Sequence, residues 1–596
     1  MEDILNKRYE LHQITRDLSK TAMGEIKADM VIKNVNLVNV NTTEIQENID
    51  IAIKKGRIAL VGDASHTIGK NTTIIDGKGY YATPGFIDTH IHVESSMLTV
   101  REYAKSVCVH GTTTIYMDPH EISNVLGFDG MRLMIEDGEN LPLRVFCAVP
   151  SCVPACKGFE DSGATIGPDE IKKAMKLKSV KGLGEMMNYP GIIHADKDMH
   201  KEVAIALKEN KVATGHYPAF DNKGLNAYIA TGINCCHETV TKEMALEKMR
   251  RGMYVQMREG SAWRDVAETV KSLFENRIDT RFAVLVSDDT HPNTLINDGH
   301  MDYIIKRAIH EGINPITAIQ MATINAAFCL EMQRDIGSIS PGKWADINLL
   351  SDLASVKVEK VIFNGELVSE NKKLLVDIEA KEYPSFSKNT MKLKNEIVVS
   401  DFIVEADGKN KNVRVMEIVE AKAYNYHKVI EMSVINNQIK SDMENDIIKI
   451  AVIERHNASG SIGKGFVKGF GFKTGAVAST VSHDAHNLTI IGTNDEDMAI
   501  AGNALNKCGG GMVVVQNGEI IAINPLPIAG LMSEDKAEVV AKRVHEIELG
   551  WKKLGCDLIS PFMTSALLSL AVIPELRLTN RGYIDCNDFK MVDIFC

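Results

Sequence analysis

The chain has 596 residues, of which 44% are hydrophobic and 24% are charged. This composition is typical of a globular protein, and the length predicts more than one domain, because single hydrophobic cores stop growing at roughly 250–300 residues. The net charge of −12 argues against a nucleic-acid-binding or anionic membrane surface, since either needs a basic face. No apolar run approaches the ~20 residues of a membrane span.

Residues 1–28 are charged and lack the basic-then-apolar order of a signal peptide, and their pattern predicts an amphipathic helical segment. The eleven cysteines are scattered and do not show the paired spacing of structural zinc sites. A free cysteine packs as a small hydrophobe, so we interpret them as reduced thiols in buried strands. We therefore expect a cytoplasmic protein.

Two segments that are distant in sequence, 29–83 and 331–383, have alternating apolar residues that predict β-strands. Lys55-Gly56 supplies a turn in the first, and Asn364-Gly365 is a hairpin signal in the second. The two segments flank one large block of sequence. We predict that they pair into a single small β domain.

The block between them, residues 84–330, alternates strand and helix patterns. An eightfold strand–helix alternation is typical of a closed parallel (β/α)8 barrel of the TIM type. An open doubly wound sheet is the alternative, but no G-x-G-x-x-G opens the block. Residues 384–596 have a different texture and predict a C-terminal α+β domain. The eight strand candidates are GFIDTHIHV, TTTIYMD, RVFCAVP, VKGLGEMM, KVATGHY, GINCCHE, MYVQMRE and FAVLVSD.

Polar residues follow six of these eight strands, at the end of a barrel where active sites are built. A single histidine at a strand end is more often structural. A set of buried polar groups of this size, however, would each cost several kcal/mol of folding free energy without strong partners. We therefore predict a divalent metal site, and imidazoles with carboxylates and no thiolate suit Zn, Fe or Mn. The candidates are His90, His92, Asp118, His120, Glu121, Glu185, His216, His237, Glu238, Asp288 and Asp289.

Several motifs resemble a known family. PGFIDTHIH (84–92), ATINAA (322–327) and PGKWAD (341–346) are similar to signatures of the amidohydrolase superfamily. HIHVESS (90–96), DPHEISNV (118–125), GHYPAF (215–220), VSDDTHP (286–292) and VSHDAHNL (481–488) resemble the bacterial adenine deaminases. The resemblance spans nearly the whole chain. It implies hydrolysis of adenine to hypoxanthine and ammonia, a step of purine salvage.

The resemblance also implies two divalent ions, Mn or Fe with Zn as an alternative. His90 and His92 would hold one ion together with Asp288, and His216 and His237 would hold the other. Glu185 would bridge them, because it ends the fourth strand, where many superfamily members carry a carboxylated lysine; Lys181 lies four residues earlier, near the far end of the strand. Asp288 would accept a proton from the nucleophilic water.

Other assignments stay open at this point. The donor of the N1 proton is Glu121 or His120, although Asp118-Pro119-His120 also fits a plain turn or an accessory metal site. Asp289 and Arg258 are candidates for contact with the base, as is Glu259, and Asp289 could instead orient a metal ligand. In the C-terminal domain, residues 482–487 form a polar loop or help to cover the barrel mouth, with His486 beside the substrate.

The partner expected from these arguments is the small molecule adenine, without nucleic acid or membrane, in a homo-oligomer (dimer or tetramer). A cyclic-amide hydrolase on the same scaffold is a second hypothesis, which would usually carry the lysine bridge. A metal-binding module without catalytic activity is a third. Such a chain would be expected to have lost Asp288 or one of the histidines.

Overall fold

The computed structural model describes residues 9–420 and 422–596, so the start of the predicted N-terminal segment lies outside the described residues. Helix α1 (Leu11–Ala22) buries Ile14 and Leu18 against Ala59. Five strands follow it, and Lys55 and Gly56 join the second to the third with φ angles of 50° and 76°, as a two-residue hairpin turn requires. The strands are β1 (Met30–Asn39), β2 (Glu44–Lys54), β3 (Arg57–Gly62), β4 (Thr73–Asp76) and β5 (Tyr81–Pro84).

A parallel sheet of eight strands follows, and each strand pairs with its neighbours in chain order. The last strand returns to the first, where the Asp288 N–H donates to the His90 carbonyl at 3.1 Å. The predicted (β/α)8 barrel is confirmed, with all eight strand candidates in place. The strands are β6 (Phe86–Ile91), β7 (Thr112–Met117), β8 (Arg144–Val149), β9 (Val180–Met186), β10 (Val212–Gly215), β11 (Ile233–Cys236), β12 (Tyr254–Arg258) and β13 (Ala283–Val286).

Helices surround the barrel, and their apolar faces pack on the strands. The helix that starts at His120 is broken at Gly127, where φ is 62°. The helices around the barrel are α2 (Val100–Cys108), α3 (His120–Asp137), α4 (Pro168–Ala174), α5 (Tyr189–Ile193), α6 (Lys197–Lys208), α7 (Asn222–Ile229), α8 (Lys242–Arg250), α9 (Val266–Thr269), α10 (Lys271–Asn276), α11 (Pro292–Asn297), α12 (Met301–His310), α13 (Pro315–Met321) and α14 (Ile324–Cys329).

The chain then returns to the sheet that it began. Strands β14 (Ile347–Asp352), β15 (Lys357–Phe363), β16 (Glu366–Glu370) and β17 (Lys373–Leu374) extend it. Strand β14 pairs with β5, which joins both segments into one nine-stranded sheet. Asn364 and Gly365 form the second predicted hairpin turn, with φ angles of 51° and 78°. The small β domain built from both flanks of the barrel is therefore present, while its exact limits at 29–83 and 331–383 stay a prediction.

The C-terminal part is an α+β unit around a ten-stranded sheet and a three-stranded sheet. Its elements are α15 (Ser385–Lys388), β18 (Val404–Glu405), β19 (Asn410–Ile418), β20 (Asn425–Ile435), β21 (Gln438–Ile439), β22 (Ile447–Ile453), β23 (Ile462–Lys468), β24 (Ala476–Ser479), β25 (Leu488–Gly492), α16 (Asp495–Cys508), β26 (Gly511–Gln516), β27 (Glu519–Pro525), α17 (Ala537–Leu554), α18 (Pro561–Ala566), β28 (Leu576–Thr579), β29 (Gly582–Asp585) and β30 (Lys590–Val592). Short 3-10 helices lie at Ser65–Thr67, Val93–Ser96, Val399–Phe402 and Leu567–Ser569.

The C-terminal unit packs against the barrel and reaches its active-site end. The Ser533 N–H donates to the Met97 carbonyl at 2.9 Å, and the Asn487 amide donates to the Asp161 carbonyl at 2.8 Å. The second bond places the segment between β24 and β25 over the C-terminal ends of the barrel strands. Among the helices of the described residues, none has the length and apolar character needed to cross a membrane.

The cysteines are all unpaired, as predicted, and most of them are buried. Their predicted location in strands was wrong for several of them. Cys147, Cys235 and Cys236 lie in barrel strands, whereas Cys108 and Cys329 lie in helices. A free thiol prefers buried positions, and the buried face of a helix meets this preference as well as a strand does.

At the opposite end of the barrel, one buried ion pair joins it to the β domain. The Arg144 guanidinium donates to both carboxylate oxygens of Asp346, at 2.8 and 3.1 Å. It also lies 3.7 Å from the ring centroid of Trp344. Arg144 is 1% exposed, so removal of the cation would leave a buried carboxylate without its partner.

We predict that Arg144→Met destabilises the protein by about 3–5 kcal/mol, the usual cost of breaking a buried pair from one side. The measurement is the midpoint of thermal unfolding by circular dichroism. Arg281→Met is the matched control, because Arg281 pairs with Asp279 at the exposed surface, and its midpoint should equal that of the wild type. Equal midpoints for both variants would contradict the role of the pair.

Candidate metal centre and active site

Histidines from the first strand of the barrel reach its centre in a fixed orientation. His90 lies in β6 and His92 directly follows it, two residues apart and therefore on one face. The His92 Nδ1–H donates to the Asp118 carbonyl at 2.9 Å, which leaves the Nε2 lone pair free to face the centre. The Nε2 atoms of His90 and His92 are 3.1 Å apart. Both imidazoles therefore point at one position.

Glu185, at the end of β9, lies between two groups of histidines. Its Oε1 is 3.3 Å from His92 Nε2 and 3.9 Å from His90 Nε2. Its Oε2 is 2.8 Å from His216 Nδ1 and 3.1 Å from His237 Nε2. The two oxygens of one carboxylate thus face different histidine pairs, which is the arrangement of a bridging ligand.

Asp288 completes the first group. Its Oδ1 is 3.7 Å from His90 Nε2 and 3.5 Å from His92 Nε2, while its Oδ2 accepts from Arg258 at 3.1 Å. The backbone of Asp288 has a φ of 57°, a left-handed conformation that is rare for a residue with a side chain. Strain of this kind persists only where the surroundings hold it, and it is common at functional sites.

The electrostatics of the two carboxylates differ. Burial acts to raise the pKa of Glu185, but the imidazoles of His237, His216 and His92 hold it well below its usual value. Burial and the neighbouring Asp289 raise the pKa of Asp288. The surroundings therefore favour the charged form of Glu185, whereas they favour proton uptake by Asp288.

The arrangement fits divalent metal ions. The ligand atoms of His90, His92 and Asp288 lie within 4.8 Å of one another, and so do those of His90, Glu185 and His237. Several of their contacts, at 3.3 to 3.9 Å, are longer than well-made hydrogen bonds and would allow an ion between the atoms. Buried imidazoles and carboxylates without a thiolate suit Zn, Fe or Mn.

A cavity opens above these ligands. Its wall combines apolar side chains with polar groups, and both the barrel and the C-terminal unit contribute to it. The residues around it are His92, His120, Glu185, Met187, His216, His237, Glu238, Arg258, Trp263, Asp288 and Asp289 from the barrel, and Ala423, His483, Asp484, Leu567, Leu570 and Ile573 from the C-terminal unit.

The structure brings together most of the residues that the sequence singled out. The six predicted ligands converge, and His120, Arg258 and Asp289 line the cavity. Glu121 is fully buried behind Ser95, whose hydroxyl oxygen is 2.9 Å from its Oε1. Glu259 is also buried but lies outside the cavity wall, with Arg307 at 3.9 Å.

The position predicted for His486 was wrong. Its ring does not line the cavity, because its Nδ1 accepts the Ser482 N–H at 3.2 Å within the turn. Its carbonyl accepts from Arg455. Two other residues of the same loop, His483 and Asp484, line the cavity instead.

Four polar or aromatic residues of the cavity wall had no individual role in the prediction, although Glu238 was a ligand candidate and residues 482–487 were a candidate cover of the barrel mouth. Glu238 was predicted only as a polar residue at the end of a strand. The His237-Glu238 pair directly after β11 was the sequence signal for its place in the wall. Trp263 lies in the segment after β12, and His483 and Asp484 lie in the loop after β24. Irregular segments have no hydrophobic period, so nothing in their sequence shows which side chain faces a cavity.

Glu238 and Arg258 form a buried ion pair in the wall. Arg258 donates to both carboxylate oxygens of Glu238, at 2.7 and 3.2 Å, and to Asp265 at 2.7 Å. Burial opposes ionisation of Glu238, but the Arg258 guanidinium lowers its pKa to about 2. The wall therefore presents a fixed carboxylate and a fixed cation to any ligand.

Comparison with known proteins identifies the family. Residues 81–368 match the model of the amidohydrolase family, and residues 423–590 match that of the adenine deaminase C-terminal domain. An adenine deaminase of Clostridium botulinum (strain ATCC 19397 / Type A) is 54% identical over 98% of this chain and 98% of its own. The chain belongs to the adenine deaminase family. An adenine deaminase of Moorella thermoacetica is 53% identical over 99% of this chain and 100% of its own, and adenine deaminase 3 of Rhizobium meliloti is 43% identical over 98% of each chain.

Membership of the adenine deaminase family, together with the buried ligand cluster, implies the use of divalent metal. It also argues against the cyclic-amide hydrolase hypothesis. The position of Lys181 agrees with this, because Lys181 lies at the other end of β9 from Glu185, with its Nζ 5.1 Å from the ring centroid of Phe146. It is remote from the metal ligands.

We predict that Glu185→Gln weakens metal binding by at least about 100-fold. Substitution of a residue that only contacts a metal ligand usually weakens binding by about 10–100-fold. An amide has one oxygen and cannot bridge two ions. Equilibrium dialysis against Mn²⁺ with elemental analysis measures the effect. Lys181→Met is the control and should retain the metal content of the wild type. Loss of metal in Lys181→Met with full retention in Glu185→Gln would refute the bridge.

Proposed function

We propose that this chain hydrolyses adenine to hypoxanthine and ammonia. The observation that carries the proposal is the cavity directly above the Glu185 cluster, with an apolar wall for a flat base and a polar wall for its nitrogen atoms. The similarity to adenine deaminases over the whole chain supports it. The product ammonia provides a direct assay.

The site suits two divalent ions, Mn or Fe with Zn as an alternative. His90, His92 and Asp288 would hold one ion, His216 and His237 would hold the other, and Glu185 would bridge them. Ions in such a pair lower the pKa of coordinated water and so supply a nucleophile near neutral pH. The protein supplies the fixed geometry. His90 and His92 lie on one face at the end of β6, and each of the other proposed ligands lies at the end of a different strand.

Asp288 is the proton acceptor in this proposal. Its pKa is raised by burial and by Asp289, and its Oδ1 faces the ligand centre. It takes the proton that the nucleophilic water loses as C6 of adenine is attacked. The departing amine needs a proton, which Asp288 is placed to return.

The proton for N1 of adenine requires a second acid. Ser95 Oγ is 2.5 Å from Asp289 Oδ1 and 2.9 Å from Glu121 Oε1. The Ser95 hydroxyl can donate its one hydrogen to either carboxyl group, so it can pass a proton between them. We assign Glu121 as the source of the N1 proton: as Asp289 at the cavity wall gives a proton to N1, Asp289 receives the Ser95 hydroxyl proton and Ser95 takes its replacement from Glu121. His120, the other candidate, faces Glu185 and Asp484 instead.

The walls of the cavity fit the base. Trp263 is 7% exposed and offers an aromatic face beside Leu567, Leu570 and Ile573. Arg258 is a donor and Glu238 an acceptor for the ring nitrogens and their hydrogens. Since six wall residues come from the C-terminal unit, that unit would exclude water and limit substrate size.

Ser95→Ala tests the proton path. We expect kcat for adenine to fall about 10²–10⁴-fold, the range of general acid–base catalysis, with a smaller change in KM. Ser95→Thr keeps the hydroxyl and should recover part of the loss. The control is Ser96→Ala, because the Ser96 hydroxyl donates to the Val93 carbonyl and does not face the site. Unchanged kcat in Ser95→Ala would exclude the path.

Substrate size tests the free-base assignment. Adenosine carries a ribose at N9, so kcat/KM measured by ammonia release should be lower than for adenine by about 100-fold or more. Leu570→Ala enlarges the cavity and should reduce the difference in kcat/KM between adenine and adenosine. Leu549→Ala, at an exposed position, should leave that difference unchanged. Comparable kcat/KM for adenosine and adenine in the wild type would defeat the assignment.

A further inference from the structure

A second cluster of ligating side chains lies where the C-terminal unit meets the barrel. His120 begins α3 on the barrel side, and His483 and Asp484 lie in the loop after β24. Asp484 Oδ1 is 3.8 Å from His120 Nε2 and 3.6 Å from His483 Nδ1. One ligand atom from each of the three residues falls within 4.8 Å of the other two. These contacts are too long for hydrogen bonds.

The cluster is buried without sufficient partners. His120, His483 and Asp484 are each at most 5% exposed. Asp484 Oδ2 and His483 Nε2 have no hydrogen-bond partner among the residues that the structure describes. A buried carboxylate costs several kcal/mol unless positive charge lies beside it, and protonation of the two imidazoles or a bound cation supplies that charge.

The orientation of His120 is that of a metal ligand. Its Nε2 faces Asp484, while its Nδ1 is 3.6 Å from Glu185 Oε1 and 3.7 Å from Asp118 Oδ1. These separations exceed a hydrogen bond and the buried Nδ1 has no hydrogen-bond partner among the described residues, so His120 is not engaged elsewhere and its Nε2 is open to a cation beside Asp484. His120 thus separates this cluster from the ligands around Glu185.

The backbone holds the loop ligands in place. The Ser569 hydroxyl donates to the His483 carbonyl at 2.8 Å, and the His456 ring donates to the Ala485 carbonyl at 2.7 Å. His486 is excluded as a ligand, because its Nδ1 accepts a backbone N–H and its remaining nitrogen therefore carries the proton. The cluster is fixed before any ion binds.

We propose that His120, His483 and Asp484 bind a further divalent cation, distinct from the pair that Glu185 would bridge. Two imidazoles and one carboxylate suit Zn, Mn or Fe, and three protein ligands leave positions for water or for a ligand in the cavity. Because one ligand comes from the barrel and two from the C-terminal unit, the ion would also join the two parts beside the substrate. The proposal does not depend on which reaction the site catalyses.

Mn²⁺ binding at equilibrium tests the proposal. The full chain is stripped of metal and titrated with Mn²⁺, and free Mn²⁺ is counted by its electron paramagnetic resonance signal. We expect three equivalents to bind per chain in the wild type. His483→Ala and Asp484→Asn should each bind two, and Glu185→Gln should retain the additional one.

His427→Gln is the matched control, since His427 lies in β20 of the same unit, with its Nδ1 4.0 Å from Asp585 Oδ2 and away from the cluster. It should bind three equivalents. Circular dichroism checks the fold of each variant, and the conservative Asp484→Asn change covers the case in which His483→Ala does not fold. Two equivalents in the wild type, or three in folded Asp484→Asn, would overturn the proposal, whatever the activity on adenine.

Discussion

The Glu185 carboxylate is an anion buried among imidazoles that three other strand ends supply, and this single constraint explains much of the architecture. A charge in an apolar interior is costly unless its partners are in place. His92, His216 and His237 are distant in sequence, and only a closed barrel brings their strand ends to one point. The same convergence creates the ligand set. The electrostatic stability of this carboxylate and the proposed metal site therefore depend on the same geometry.

The two ends of the barrel serve different purposes. At one end, Arg144 and Asp346 form a bidentate pair beside Trp344. Both oxygens of this carboxylate already accept hydrogen bonds from Arg144. At the other end, Asp288 has a left-handed backbone and a raised pKa. The first arrangement joins the barrel to the β domain, and the second keeps reactive groups available. This division is typical of barrel enzymes.

The C-terminal unit accounts for the part of the site that the barrel lacks. The barrel alone would present its ligands to bulk water, which weakens electrostatic interactions. Leu567, Leu570 and Ile573 cover the mouth with apolar side chains, while His483 and Asp484 add polar ones. The unit therefore contributes both apolar and polar side chains to the cavity wall. Its sequence similarity to the C-terminal domain of adenine deaminases agrees with a role in the same chemistry.

Regular elements and their ends could be predicted from the sequence. The alternation of strand and helix patterns indicated all eight barrel strands, and the period of two residues placed His90 and His92 on one face. Gly56 and Gly365 marked hairpin turns, because both need positive φ angles. The strand ends then indicated the ligands, since the ends of parallel strands meet at the same edge. These inferences use local geometry that the sequence itself determines.

Contacts between irregular segments were decided only by the tertiary structure. Ser95 meets Asp289 across 194 positions of sequence, and no local pattern relates them. Within one loop, His486 turned inward to its own backbone while His483 and Asp484 faced the cavity. A loop has no period to assign its faces, so the direction of each side chain follows from turn geometry and from the surface on which the loop packs.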